Sequence, residues 1–317
     1  MRINITLILA VLLMVAGCKE KKAEQFHALP FPDVQLPSMI SGQQEAFEYL
    51  AINYWNGITD LSRSYPSDSV LVSGVRKSDV EQKFADWTAV MEYAGHNVWS
   101  KAVANLYERA LACETKDTSS QVLETFVDLF QKYYFDANSP MRNEDVYHHF
   151  VARYASYEGL DEVMKGKYER EAHLTGLNRI GTKATDFRFS DRRGKMTNLY
   201  DIKAEMTLLF FSNPGCNACM EIIKVLRDEP IIASKIEEGR LVVVNMYIDE
   251  DIQAWRSYMP IYPEEWYNGF DPDLAIRTED LYNVRAIPSL YLLDADKRVI
   301  LKDAPEDKVF SVISSAI

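Results

Sequence analysis

Hydrophobic and polar positions follow two different rhythms along the chain. Between about Ser41 and Thr175, apolar residues recur three and four apart in "EAFEYLAINYW", "VEQKFADWTAVMEYA", "VWSKAVANLYERALA", "VLETFVDLFQKYYF" and "DVYHHFVARYASY". That spacing gives each helix one apolar stripe, so the stretch predicts five or six helices packed on one another. No proline breaks these segments, and β-branched runs are scarce. Ser78 with Glu81 has capping-box spacing, and Ser139-Pro140 suits a cap followed by a first-turn proline. A last helix through "DEVMKGKYEREAHL" should stop near Gly176. After Gly181 the runs shorten to "DFRFSD", "TLLFFS", "LVVVNMYI", "SLYLLDAD" and "RVILK", with helical stretches at Asn217 to Arg227 and Pro305 to Ser315. Strands alternating with helices predict an α/β layer fold around a central sheet. The nearly continuous apolarity of "LLFFS" and "LVVVNMYI" marks central strands covered on both faces.

Length and composition agree with that division. The 317 residues suffice for two ordinary domains, and 47% apolar with 26% charged residues is the composition of a folded chain. A formal net charge of -12 argues against a nucleic-acid binder, because phosphates need Lys/Arg surfaces and the only basic run is Lys19 to Lys22. At the N-terminus, "INITLILAVLLMVAGC" follows Arg2; it is short for a bilayer span and ends in small residues, the shape of a signal peptide. "VAGC" resembles the lipobox of bacterial lipoproteins, which implies acylation of Cys18 as the first mature residue. The expected organisation is a signal peptide over 1–17, a polar and proline-dotted tether over 18–40, an all-helical domain over 41–175 and an α/β domain over 176–317.

The helical half offers little chemistry. His148 and His149 are adjacent, so on a helix they point about 100° apart and are poorly placed to share a metal; a surface or cap role is expected. Tyr49, Trp55, Trp87, Tyr93, Trp99 and Tyr107 read as core, and Cys113 as a small buried hydrophobe.

The other half holds a cysteine pair. Cys216 and Cys219 follow the strand "TLLFFS" through Asn213-Pro214-Gly215 and open the next helix. Unpaired N–H groups and the positive end of the helix dipole favour thiolate there, so the first thiol should ionise below the free value of about 8.5. Cys216 is therefore the expected attacking thiol and Cys219, one turn on, the resolving one. A structural zinc site would want a second pair, haem attachment a histidine where Met220 stands, and copper delivery a histidine after His173. A peroxidatic thiol would be single and preceded by proline several residues earlier, not by Pro214 two residues before. No metal or cofactor is expected.

"GTKATDFRFSDRRGKMTNLYDIKAEMTLLFFSNPGCNACME" together with "YNVRAIPSLYLLDADKRVI", about 70 residues on, resembles the thioredoxin-like fold of the extracytoplasmic TlpA/ResA-type thiol-disulfide oxidoreductases, and lipoproteins of this build resemble those of Bacteroidetes. The resemblance covers Gly181 to Ile317 and implies that Pro288 forms a cis bond with Ile287, in a loop facing the cysteines. It makes Pro288 a member of the catalytic set and Ile287 and Gly215 substrate-contacting positions, the Ile287 backbone pairing with an extended substrate segment. Gly215 stands where many relatives carry Trp, Asn217-Ala218 lacks the proline of reducing thioredoxins, and Phe210 replaces a buried aspartate. Glu221 is then the candidate proton acceptor, or a carboxylate that merely complements the helix dipole. Trp255, Trp266 and Tyr267 either rim a substrate groove or cover the sheet.

The resemblance, not any single residue, implies reduction of disulfides in cysteine-containing proteins outside the cytoplasm, with an upstream redox partner and a membrane contact through the lipid. A disulfide oxidase or isomerase, and a non-catalytic surface protein using the fold as scaffold, are the alternatives.

Overall fold

The structure, a computed structural model, describes residues 27–63, 65 and 69–316. The expected signal peptide and Cys18 lie outside the described residues. No described helix is long and apolar enough to cross a membrane.

The first half contains α1 (Gln43–Asn53), α2 (Lys77–Ala94), α3 (His96–Lys116), α4 (Val122–Phe130), α5 (Glu144–Tyr154) and α6 (Glu162–Thr175), with a π-helical turn at Gln131–Phe135 extending α4. It is not wholly helical. A hairpin of β1 (Leu71–Val72) and β2 (Val75–Arg76) precedes α2, pairing Val72 with Val75. Its turn residues Ser73 and Gly74 have φ of 49° and 78°, the left-handed pair that tight hairpins need. The hairpin also displaces the expected cap: α2 begins at Lys77, and the Ser78 hydroxyl bonds Asp79 instead of closing a capping box. Ser139 donates to Tyr133 O and accepts from Met141 N–H, while Asn143 caps α5 by accepting from Val146 N–H. α6 ends at Gly176 as expected.

Aromatic rings fill the centre of this half. Trp55, Phe84, Trp87, Phe126, Phe130 and Phe150 are buried together, and Trp87 Nε1 donates to Ala51 O at 2.9 Å, satisfying its polar edge. Trp99 and Tyr107 join them, whereas Tyr49 is half-buried and Tyr93 lies 65% exposed. Cys113 is buried, and burial pushes its thiol above the ordinary value. Part of the expected tether also packs here: Phe31 meets Trp55 edge-on, and Leu29 N–H donates to Gly74 O.

The second half runs β3 (Arg188–Asp191), β4 (Met196–Asn198), β5 (Met206–Phe211), α7 (Asn217–Asp228), α8 (Pro230–Glu237), β6 (Leu241–Tyr247), α9 (Ile252–Tyr258), β7 (Tyr267–Phe270), α10 (Ala275–Thr278), β8 (Ser289–Asp294), β9 (Val299–Leu301) and α11 (Glu306–Ser315). Among the described residues its strands form one sheet in the order β4-β3-β7-β6-β5-β8-β9. β5, β6 and β7 are parallel, and β8 returns antiparallel to β5. Alternate residues of β5 serve opposite faces: Leu208 and Phe210 pack toward α7 and α11, Leu209 and Phe211 toward Phe187, Ile276 and Tyr282. Trp255 and Trp266 are buried against the sheet, and Tyr267 is 38% exposed.

The two halves meet along a polar seam. Asp145 accepts from Arg179 Nε at 2.9 Å and from Ile180 N–H at 2.7 Å. Arg142 donates to Asp303 O and Ala304 O, both at 3.0 Å, and Arg170 pairs with Asp280. The two histidines belong to this seam, which corrects the expectation of a surface role. His148 Nδ1 lies 3.2 Å from Thr175 Oγ1, and Arg179 donates to His149 Nε2 at 2.9 Å, which requires a neutral ring. Burial first, then the neighbouring Arg179 cation, lowers both imidazoles to about 4.

Candidate active site

Strand pairing gathers the sequence-predicted residues at one end of the sheet. Phe211 at the end of β5 pairs with Ser289 at the start of β8, so the segment toward Cys216 and the loop ending in Pro288 leave the sheet side by side. The Ile287–Pro288 bond is cis, and Ile287 packs against the cores on both faces of the sheet. Buried side chains brace this end. Ser212 donates to Asn245 Oδ1, Asn245 to Asn268 Oδ1 at 3.0 Å, and Asn268 to Pro263 O at 2.7 Å, linking the end of β5 to β6 and β7. Asn213 Nδ2 donates to Asp249 at 2.6 Å, and Asp249 pairs with Arg277 at 2.7 Å.

The turn before the helix is shaped by its sequence. Cys216 N–H donates to Asn213 O at 3.3 Å, and Gly215 has φ of 77°, a backbone region that side chains with a Cβ rarely adopt. A residue with a Cβ would be strained at this position. Gly215 is exposed, and the hydroxyl of Tyr258 would lie 3.6 Å from a Cβ placed there. The end of α9 thus reaches over the site.

Cys216 is the N-cap of α7. Its sulfur accepts from Cys219 N–H at 3.1 Å, and the two cysteines are joined as a disulfide with Cα atoms 5.2 Å apart. Cys216 is half-buried, while Cys219 is 2% exposed and packed with Ile222, Ile223 and Leu208. One sulfur is therefore open to a partner and the other shielded behind it. Phe210, where thioredoxins bury an aspartate, is fully buried in the same cluster. Glu221 is exposed at the fifth position of α7, beyond the first turn.

Several contributors escaped the sequence reading. Tyr258 gave no signal apart from lying in an aromatic-rich connection. The Ser212–Asn245–Asn268 chain had one: an asparagine inside the otherwise apolar "LVVVNMYI" must find a partner when buried.

The first part of the chain, residues 15–177, matches a family model described as a domain of unknown function, DUF5106. The crystal structure of a thioredoxin-like protein from Bacteroides caccae is 30% identical to this chain, covering 90% of it and 99% of the other, with a TM-score of 0.74. Two shorter structures each align with less than half of this chain. The C-terminal domain of an uncharacterized protein from Bacteroides fragilis is 43% identical, covering 44% of this chain and 99% of its own, with a TM-score of 0.42. The thioredoxin domain of a thiol-disulfide oxidoreductase from Bacteroides vulgatus is 17% identical, covering 43% and 95%, with a TM-score of 0.36. No curated protein matches the chain.

Proposed function

Because the chain belongs to the DUF5106 family and joins that domain to a thioredoxin-like one, we propose that it is a thiol–disulfide oxidoreductase reducing disulfides of cysteine-containing proteins outside the cytoplasm, where a lipid on Cys18 tethers it. The observation that carries this reading is the half-buried Cys216 sulfur at the N-cap of α7, with Cys219 buried behind it and the cis-Pro288 loop alongside.

In the reduced protein, the Cys219 N–H and the helix dipole favour a Cys216 thiolate. This thiolate attacks one sulfur of a substrate disulfide, forming a mixed disulfide and releasing the other substrate sulfur as a thiol once it gains a proton. Cys219 then loses its proton and attacks the Cys216 sulfur, expelling the second substrate thiol and closing the Cys216–Cys219 disulfide. Two electrons pass to the substrate, and an upstream dithiol partner returns the pair to its reduced form. On this reading an extended substrate segment pairs with the Ile287 backbone, and the exposed, side-chain-free Gly215 leaves room for it.

The test is a Cys219→Ser variant combined with a glutathione titration of the wild-type pair. Cys216 should hold mixed disulfides with client proteins, and the pair should titrate with a potential below roughly -200 mV, in the range of reducing dithiols. Absence of adducts, together with failure to reduce insulin, would sink the enzyme reading. An oxidising potential would reverse its direction.

A further inference from the structure

The seam contains a cluster of buried charge that the chemistry above does not use. Glu144, the first residue of α5, has a fully buried side chain. Its Oε1 lies 2.6 Å from Arg285 Nε and accepts from Asn283 Nδ2 at 2.6 Å, and its Oε2 lies 3.1 Å from Lys302 Nζ. Arg285 reaches Asp303 at 2.8 Å, and Asp303 also accepts from Ser289 Oγ at 2.7 Å. Lys302 donates to Thr175 O and Leu177 O, and the Arg285 guanidinium stacks on Phe135, 4.4 Å from its ring centre. Two carboxylates face two cations. Burial pushes the Glu144 carboxyl up, while Lys302 and Arg285 pull it down.

The position of the cluster matters as much as its balance. Asn283 and Arg285 precede Pro288, and Ser289 follows it directly. The loop with the cis bond is thus anchored on both sides, and the anchor on the near side is a side chain from the helical half. A buried ion pair is an inefficient way to stabilise a fold, since apolar replacements of equal volume are often as good or better. What it supplies is direction: Arg285 donates to Asp303 and lies against Glu144, while Glu144 also accepts from Asn283, so one side chain of the helical half meets two residues of the loop. The other seam contacts, Asp145–Arg179, Arg142 on the carbonyls of Asp303 and Ala304, and Lys308–Glu92 at 2.7 Å, do not pass through Glu144. The halves therefore have other means of staying docked.

We infer that Glu144 is a positioning residue of the redox site: through Asn283 and Arg285 it holds the cis-Pro288 loop against the cysteine pair, so that the helical half completes the active site. The inference rests on the reading of Cys216 and Cys219 as a redox pair. A substrate segment aligned by the Ile287 backbone meets the Cys216 sulfur correctly only if this loop is fixed, and small misplacements cost large factors in rate.

The test uses the full chain with Glu144→Gln, and Arg285→Lys as a second variant that keeps the charge but loses the fork. Hydrogen exchange should speed up at least about tenfold in the segment 284–289 while β5 and β6 stay protected. The reduced variants should react roughly tenfold more slowly with a peptide disulfide, yet alkylate at Cys216 with iodoacetamide at the wild-type rate. A merely structural role would not separate those two reactions. Unchanged exchange in the loop of a folded variant overturns the inference, as does an equal fall in both rates. If Glu144→Gln fails to fold, Arg285→Lys decides. Should the wild type itself ignore the peptide disulfide, the redox reading fails, and loop exchange alone judges the positioning role.

Discussion

The helical half closes its core with rings from one face of each helix, whereas the sheet half buries both faces of its central strands and leaves only their ends for chemistry. In the first half the large aromatics Trp55, Trp87, Phe126 and Phe130 interlock. In the second, Phe210 and Phe211 on adjacent positions serve opposite cores, and the chain turns toward Cys216 just beyond them. The difference shows where each half can bear specificity. A ring cluster tolerates little change but encodes no reaction; a strand end bears reactive groups but needs something to hold its loops. The seam supplies that hold, so neither half is understood alone.

The sharpest way to break this comparison is to damage the core of the reaction-free half and watch the other. Trp87→Ala removes a fully buried indole bonded to Ala51 O and should cost about 3–5 kcal/mol. If the seam couples the halves, urea unfolding followed by helical circular dichroism and by Trp255 or Trp266 fluorescence should shift together. Two separated transitions would show independent units.

Acid sharpens the comparison more gently. His148 and His149 normally titrate near 6.5 but are held to about 4 in the seam. As pH falls below 6.5, the unfolded chain takes up these protons before the folded one does, so stability is complete above 6.5 and lost toward 4. Between pH 7 and 5 the melting temperature should drop by roughly 5 °C. A His148→Asn/His149→Gln variant should lose most of that slope, because neither amide gains a proton. A slope unchanged in the double variant would move the acid-sensitive contact elsewhere.

The smallest effect is expected at Glu221. Being exposed beyond the first turn of α7, its carboxylate sits in a screened position, so Glu221→Gln should change the rate with a peptide disulfide by less than about threefold. A larger fall, with a shifted pH profile, would make it the missing proton acceptor after all.

What could be read from the chain follows the range of the interactions. The periodicities located the helices of the first half, α7, α11 and five strands but not α8 or α10, and the family resemblance implied the cis bond at Pro288. β7 was missed because "YNGF" reads as a turn. Its glycine is there for packing, since a Cβ on Gly269 would meet the Phe189 ring at 2.4 Å. Ser78 and Ser139 looked like caps, but a hairpin and a π-helical turn rearranged the helix starts around them. The Glu144 cluster left no local trace: Asn283 is 139 positions away, and a charged residue at a helix start is ordinary until its surroundings are known.

The sulfur cap on α7 has one more consequence. When the pair is reduced and ionised, the helix begins with a full negative charge; when it is oxidised, the same position holds a neutral, weakly accepting sulfur. The helix end is therefore an electrostatic balance that weighs the two redox forms against each other. Whatever favours thiolate over thiol at that position weights the reduced form, and salt weakens the weighting by screening. A cation introduced near the end of α9, beside Tyr258, would tip it toward the reduced form, making this short turn the place where the driving force of the whole molecule can be adjusted without touching either sulfur.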